Sequence, residues 1–182
     1  MRLDLSQNHF ELFGLKAGFE VDGETLALRY RDLQKETHPD RFANASEQER
    51  RLSVQLAAQI NEAYRVLKNP LARARYLLEL NGVTLDDTDT RMDPAFLMEQ
   101  MELREALAEI PHSRMPFDAL EELRDQLESG ERGLIEALRR DFSDGSAPAL
   151  ARARDSVRKM QFIQRLLEEA EALEEELVHQ EH

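Results

Sequence analysis

The sequence predicts an all-α protein in two parts, a helical hairpin followed by an antiparallel three-helix bundle, and three observations carry that prediction. Only seven Gly and six Pro interrupt 182 residues rich in Leu, Ala, Glu and Arg, side chains that lose little freedom in a helix. Apolar residues recur at spacings of three and four over long stretches, the period of one helix face. The stretches are separated by short breaks carrying Gly, Pro and Asp, so neighbouring helices bury their apolar faces against one another. The expected boundaries are 1–82 for the first part, 83–92 for a linker and 93–182 for the bundle.

In the first part, Asn8 to Leu15 holds Phe10, Leu12, Phe13 and Leu15 between polar residues and Gly14 and Gly18, a short helix or turn that plugs a core. Glu24 to Thr37 places Leu26, Tyr30, Leu33 and Thr37 at spacings of four, three and four, with Arg31 and Lys35 on the opposite side. Pro39 lacks an amide proton and biases His38 away from helical dihedrals, so that helix ends there. Asp40 is expected to organise the turn by accepting backbone hydrogen bonds. The loop runs on through Ala43-Asn44-Ala45. Ser46 is an N-cap with acids after it, and the next helix carries Leu52, Leu56, Ile60, Ala63 and Leu67. Two such helices pair as an antiparallel hairpin whose tip exposes His38, Pro39 and Asp40. Asn81-Gly82-Val83 closes the unit.

The second part opens with Asp93 as N-cap and Pro94 at the first helical position. At about 100° per residue, Phe96, Leu103, Leu107 and Ile110 fall within roughly 60° of one another and form the buried stripe. Leu97, Met98 and Met101 centre on the far side with Glu102, Glu105 and Glu109. That group is either covered by another helix or displayed as an adaptable, Met-containing binding surface. Pro111 to Pro116 breaks the chain. Phe117 to Phe142 resumes a helix through Leu120, Leu123, Leu127, Leu134 and Leu138, with Gly130-Glu131-Arg132-Gly133 a candidate interruption. After the loop Asp144 to Pro148, a last helix from Ala149 carries Val157, Met160, Ile163, Leu167 and Ala170, with a strongly acidic run from Glu168 to Glu176. Phe162 lies on the far side from Met160 and Leu167 and is read as displayed.

Totals narrow the function. A 41% hydrophobic content suits a packed core, no run approaches the roughly 18 to 20 apolar residues of a spanning helix, and the start reads as no leader peptide. A cytoplasmic protein without a membrane partner is expected. There are no cysteines, hence no disulfides and no thiolate ligands. The net charge of −13 is one-sided: residues 1–81 hold 12 basic and 12 acidic side chains, residues 82–182 hold 12 basic and 25 acidic. An acidic second part repels phosphate backbones, which argues against nucleic acid and allows a basic protein client, or simply keeps a helical bundle soluble. His9, His38, His112, His179 and His182 form no His-x-x-x-His pair, and no phosphate loop, dinucleotide turn or nucleophile elbow is present. Neither an enzyme nor a cofactor is expected.

The basic-faced segment from Arg29 through Arg31 and Lys35 to His38-Pro39-Asp40-Arg41-Phe42, followed by a second amphipathic helix, resembles a J domain, the module by which co-chaperones engage DnaK-type ATPases. Thr37 stands where an aromatic residue commonly precedes the His. The run Asn69-Pro70-Leu71-Ala72-Arg73-Ala74-Arg75-Tyr76-Leu77-Leu78-Glu79-Leu80 is similar to the end of the J domain in HscB-type proteins, co-chaperones of iron-sulfur cluster assembly, and the likeness extends over nearly the whole chain. It implies a two-domain, L-shaped arrangement. It implies that Arg29, Arg31, Lys35, Arg41, His38, Pro39 and Asp40 meet an HscA-like chaperone. It also implies that Leu97, Met98, Met101, Glu102, Glu105, Glu109 and Phe162 meet the scaffold protein IscU. The zinc-binding cysteines of longer eukaryotic relatives are absent, so the short bacterial form is the nearer likeness. A J-domain protein serving many unfolded clients and a helical adaptor without a chaperone partner are the alternative readings.

Overall fold

The computed structural model describes residues 6–42, 45–85 and 93–180. Ala43, Asn44, His182 and most of the expected linker lie outside the described residues. The chain divides into two compact units, Met1–Gly82 and Val83–His182. Every element of regular structure among the described residues is helical.

Unit one begins with a single turn, α1 (His9–Leu12), closed by a capping box in which Asn8 and Glu11 exchange hydrogen bonds. Gly14 follows at φ 59, a left-handed conformation that a residue without Cβ takes at no steric cost. The turn drives Phe10, Leu12 and Phe13 into the core, where each is almost fully enclosed. The hairpin is α2 (Gly23–Thr37) and α3 (Glu47–Lys68), joined through a 3₁₀ turn, Pro39–Phe42. Asp22 caps α2, and Ser46 with Glu49 forms a second capping box at α3. A further helix, α4 (Pro70–Leu80), starts from the Asn69 cap with Pro70 at its first position.

The α3 stripe departs from expectation by one position. Leu52 is 43% exposed, and Ser53 is buried in its place, its hydroxyl donating to the Arg50 carbonyl at 2.8 Å. Counting back from Leu67 through Ala63, Ile60 and Leu56 in steps of four, three and four, the next step of three lands on Ser53. Leu52 is rotated about 100° off the seam. A small hydroxyl that satisfies itself against its own helix costs little there.

Unit two holds α5 (Pro94–Glu109), a 3₁₀ turn (Ile110–His112), α6 (Pro116–Asp144) and α7 (Ala147–Gln180). The α6 and α7 helices pair antiparallel through Gly145 and Ser146 alone. Gly145 sits at φ 67 and donates its N–H to the Asp141 carbonyl, a left-handed helix stop. The loop is therefore shorter than expected, and Pro148 lies in the first turn of α7, where its missing N–H has no partner to lose. Asp141, 7% exposed, accepts from Arg152 Nε at 2.9 Å and Nη2 at 2.7 Å, a forked pair that ties the two helices beside their turn.

Gly130-Glu131-Arg132-Gly133 does not interrupt α6, which runs unbroken over 29 residues. Leu127 on one side of it, 1% exposed, and Leu138 on the other, fully enclosed, hold the helix against α7 across the glycines. Tertiary packing outweighs the propensity cost of two glycines.

Phe162 is the larger correction: it is 7% exposed, not displayed, and meets Phe96 edge to face with ring centroids 5.8 Å apart. A single-stripe reading fails for α7 because that helix is enclosed from two sides. Val157 and Met160 are enclosed on one side, while Phe162, Ile163 and Leu166 lie round the helix among the residues buried with α5.

Candidate functional site

Two surfaces, one on each unit, gather the residues singled out from sequence. On unit one, α2 and α3 leave a groove of about 660 Å³ lined by Arg31, Gln34, Lys35, Thr37, His38, Arg41, Ala57 and Asn61. The helical period puts Arg31 and Lys35 on one side of α2, and the 3₁₀ turn carries Arg41 round to join them. Thr37 closes the floor. It is 3% exposed and its hydroxyl donates to the Leu33 carbonyl at 3.0 Å, so a small β-branched residue serves there without an orphaned polar group.

The tip itself is open, with the His38 and Asp40 side chains 59% and 90% exposed. The turn is organised in the opposite sense to that expected: the Asp40 backbone N–H donates to His38 Nδ1 at 3.3 Å. In that bond the ring nitrogen acts as the acceptor. The Asp40 carboxylate lies 3.6 Å from the same Nδ1 and becomes its ion-pair partner only in the imidazolium form. The side chain of Pro39 lies outside the described residues.

Arg29 does not join the groove. Its guanidinium donates to the Phe13 and Gly14 carbonyls, fastening α2 to the turn after α1. Sequence counting saw only a cation near others. The feature that separates it is the pair of carbonyls left pointing out by the Gly14 turn, which no helical period reveals.

Sequence reasoning missed the other wall. Gln34 Nε2 donates to Tyr30 Oη at 2.7 Å and Tyr30 Oη donates to Asn61 Oδ1 at 2.8 Å, a polar chain linking the helices across the groove. Beside it the Tyr30 and Tyr64 rings stack at 4.0 Å and 9°, with Lys68 Nζ 5.7 Å from the Tyr64 centroid. The Tyr30–Gln34 spacing of four was a legible signal; its α3 partners required the hairpin register.

On unit two, Leu97, Met98 and Met101 are 42%, 64% and 63% exposed, and Glu102, Glu105 and Glu109 are exposed around them. Phe96 and Leu103 on the same helix are buried, so α5 separates a core stripe from a displayed apolar patch with acidic borders. Phe162 lies beneath this region, covered by Arg104, whose Cζ is 5.5 Å from its ring centroid.

Among the described residues no group of three or more His, Asp or Glu is placed to hold a metal ion. No described helix is long and apolar enough to cross a membrane.

Comparison with known proteins decides the family. A DnaJ domain matches residues 8–76, and the HSCB C-terminal oligomerisation domain matches residues 92–171. Over 171 residues the chain is 48% identical to a protein of Vibrio vulnificus (strain YJ016) named "Co-chaperone protein HscB homolog", covering 93% of this chain and 98% of that one. The chain belongs to the HscB family of co-chaperones. The solved structure of chaperone HscB from Vibrio cholerae is similar with a TM-score of 0.84 at 43% identity, covering 94% of this chain and 99% of that one. Human co-chaperone HscB is similar with a TM-score of 0.83 at 30% identity, covering 94% and 84%. HscB-family proteins, through their J domains, regulate the ATPase of a DnaK-type chaperone and are not themselves enzymes.

Proposed function

We propose that this HscB-family chain stimulates the ATPase of an HscA-like chaperone through the unit-one groove and tip, and delivers an IscU-type iron-sulfur scaffold through the α5 surface. On this reading it works in the cytoplasm and serves cluster assembly without binding nucleic acid or membrane. The observation that carries the reading is the convergence of Arg31, Lys35, His38 and Arg41 on one groove, while a separate unit displays an apolar patch with acidic borders.

The groove's cations dock on an acidic face of the partner, each exposed pair contributing about 0.2 to 1 kcal/mol, so the contact is weak and salt-sensitive. Stimulation requires more than docking. The His38-Pro39-Asp40 tip must bind the hydrolysis-competent conformation more tightly than the resting one, because equal affinity would shift nothing. The nucleotide and its chemistry belong to the chaperone. Holding the scaffold on the same chain raises its effective concentration at the chaperone's peptide site. Because the groove holds three of the four expected cations, Arg29 acts as a structural residue and Arg31, Lys35 and Arg41 as the contacts.

The test is the chaperone's ATPase rate with His38→Gln and with Leu97→Ala/Met101→Ala. His38→Gln should lose stimulation while still binding scaffold, and the double variant should lose scaffold affinity while its unit one still stimulates. Phe162 stays out of that variant, since truncating a buried Phe costs about 3 to 5 kcal/mol of stability and would confuse unfolding with lost binding. Retained stimulation by His38→Gln, or unchanged affinity in the double variant, would overturn the respective half. Binding of many denatured chains in place of one scaffold would favour a general J-domain co-chaperone.

A further inference from the structure

The charge of unit two is not spread evenly along its helices. Residues 139–159, which turn the α6–α7 corner, hold six of the 12 cations of residues 82–182 but only three of its 25 acids. Along this stretch the two helices leave a cleft of about 530 Å³. Arg152, Ser156 and Lys159 follow one another on α7 at spacings of four and three, the period of one helix face, and line one wall, while Arg140 comes from α6. The three acids of the cleft are already engaged. Asp141 accepts the Arg152 fork, Asp155 pairs with Arg154 at 3.3 Å, and Asp144 accepts the Ser146 backbone N–H at 3.1 Å. Arg140 and Lys159 are not: among the described residues neither has a carboxylate partner. Lys159 Nζ rests 5.0 Å from the Phe96 ring centroid, a contact that positions the ammonium without neutralising it. Ser156 is 9% exposed, and its hydroxyl makes no hydrogen bond among the described residues. The cleft thus keeps its donors unspent and its acceptors occupied.

We propose that this cleft docks an acidic segment of a partner protein, whose carboxylates are taken by Arg140, Ser156 and Lys159. The donor line from Arg152 to Lys159 spans roughly 10 Å, two helical turns, which suits side-chain carboxylates spaced along a peptide better than one small anion. The interleaved Asp141 and Asp155 disfavour a dense dianion, and they match singly charged groups set apart from one another. A nucleic-acid backbone fits poorly, because its charges continue beyond the cleft over a unit that holds 22 further acids outside residues 139–159. A peptide segment can end where the cations end. Inside a cleft each cation–carboxylate contact is screened less than on an open surface, so a few contacts suffice for a specific site. The α5 patch, bordered by Glu102, Glu105 and Glu109, attracts the opposite kind of partner. Unit two is therefore bipolar, with an acidic-bordered face on α5 and a cationic seat at the α6–α7 corner. The seat shares no residue with the α5 patch or with the unit-one groove, and its ligand is independent of the client and chaperone roles proposed for them.

The probe is a short fluorescein-labelled peptide carrying Glu at spacings of three and four, titrated into the full chain by anisotropy and by amide chemical-shift mapping. The same peptide with Lys in place of Glu, inorganic phosphate and a single-stranded oligonucleotide are the comparisons. The Glu peptide should saturate, with shifts centred on Arg140 and on Arg152 through Lys159, and should weaken as salt is added. Arg140→Gln/Lys159→Gln should weaken it about two- to thirty-fold, the factor for two charge pairs lost. Lys159→Arg, which keeps a cation over Phe96, should stay near wild type. Arg140→Glu should weaken binding by itself, and since Arg140 is exposed and unpaired the fold does not depend on it, so this variant decides the matter even where Lys159→Gln loosens the Phe96 contact. Four results would each overturn the assignment: no saturable binding of the Glu peptide, shifts centred outside the cleft, unchanged affinity in Arg140→Glu, or binding at the cleft by the Lys peptide, phosphate or the oligonucleotide as tight as that of the Glu peptide.

Discussion

Replacing Gly133 by Ala should stabilise unit two, and the size of the effect follows from its surroundings. Gly133 lies inside α6 on an exposed position, and a Cβ built there meets nothing within 4 Å. Glycine in a helix interior is about 0.8 to 1.0 kcal/mol worse than alanine, through the backbone freedom it surrenders. With no steric term to subtract, the full gain should appear, and for a unit of about 100 residues it raises the midpoint by roughly 4 to 8 °C. Gly130 is the internal control. Its added Cβ would meet Ile163 Cδ1 at 3.3 Å, so the buried isoleucine must give by a few tenths of an ångström. That methyl is the free end of a flexible side chain, so Gly130→Ala should range from neutral to a gain below that of Gly133→Ala. Differential scanning calorimetry of the full chain reads both. A lower midpoint for Gly133→Ala would refute an unbroken α6, and a larger gain for Gly130→Ala would refute the packing assigned to Ile163.

Two further outcomes test unit one. Burial holds the His9 imidazole below its ordinary value of 6.5, with Glu62 and Glu79 pulling weakly the other way, and its ring stacks on Tyr76 at 4.2 Å. The fold therefore favours neutral His9: the stabilisation is complete above about pH 6.5 and is lost as pH falls from there through the lowered value, where the unfolded chain takes up the proton first. His9→Phe, which keeps a ring against Tyr76, should flatten the stability profile between about pH 7 and 5, and a persisting slope in urea titrations would exclude His9 as its source. Tyr30→Phe keeps the stack on Tyr64 but removes both hydrogen bonds of the Gln34–Tyr30–Asn61 chain. It should cost about 1 kcal/mol by chemical denaturation, and no loss would show that the chain contributes nothing to closing the hairpin.

The helices and their caps were legible because each rests on local chemistry. Ser46, Asp93 and Pro94 act where short-range rules put them, and the Leu26 to Thr37 stripe is buried as its spacing requires, with Tyr30 half-buried. The exposure of Leu97, Met98 and Met101 was legible for the same reason, since α5 has one buried face. What escaped was whatever depends on a second neighbour. Phe162 is enclosed because α7 has two partners, and Arg29 is occupied because a glycine turn sixteen residues earlier presents carbonyls. Leu52 and Ser53 exchanged roles over a single step of register that both three- and four-residue spacings allow. The His38–Asp40 bond ran opposite to expectation because a ring nitrogen in a tight turn can accept as readily as a carboxylate.

The two-residue link at Gly145 and Ser146 has a consequence for how unit two comes apart. Helices of 29 and 34 residues hinged at so short a corner meet their partners in order of increasing distance from it, so the pair can close like a zipper with little loop entropy at each step. The shorter α5 is not part of that zipper, since its seat on Leu123, Leu127, Ile163 and Leu166 exists only once the pair has closed. It is thus the element expected to detach at lowest cost, a separable foldon carrying Leu97, Met98 and Met101. The client capture proposed for that face would then report on the finished fold, because a chain whose long pair had not closed would have nowhere to display it.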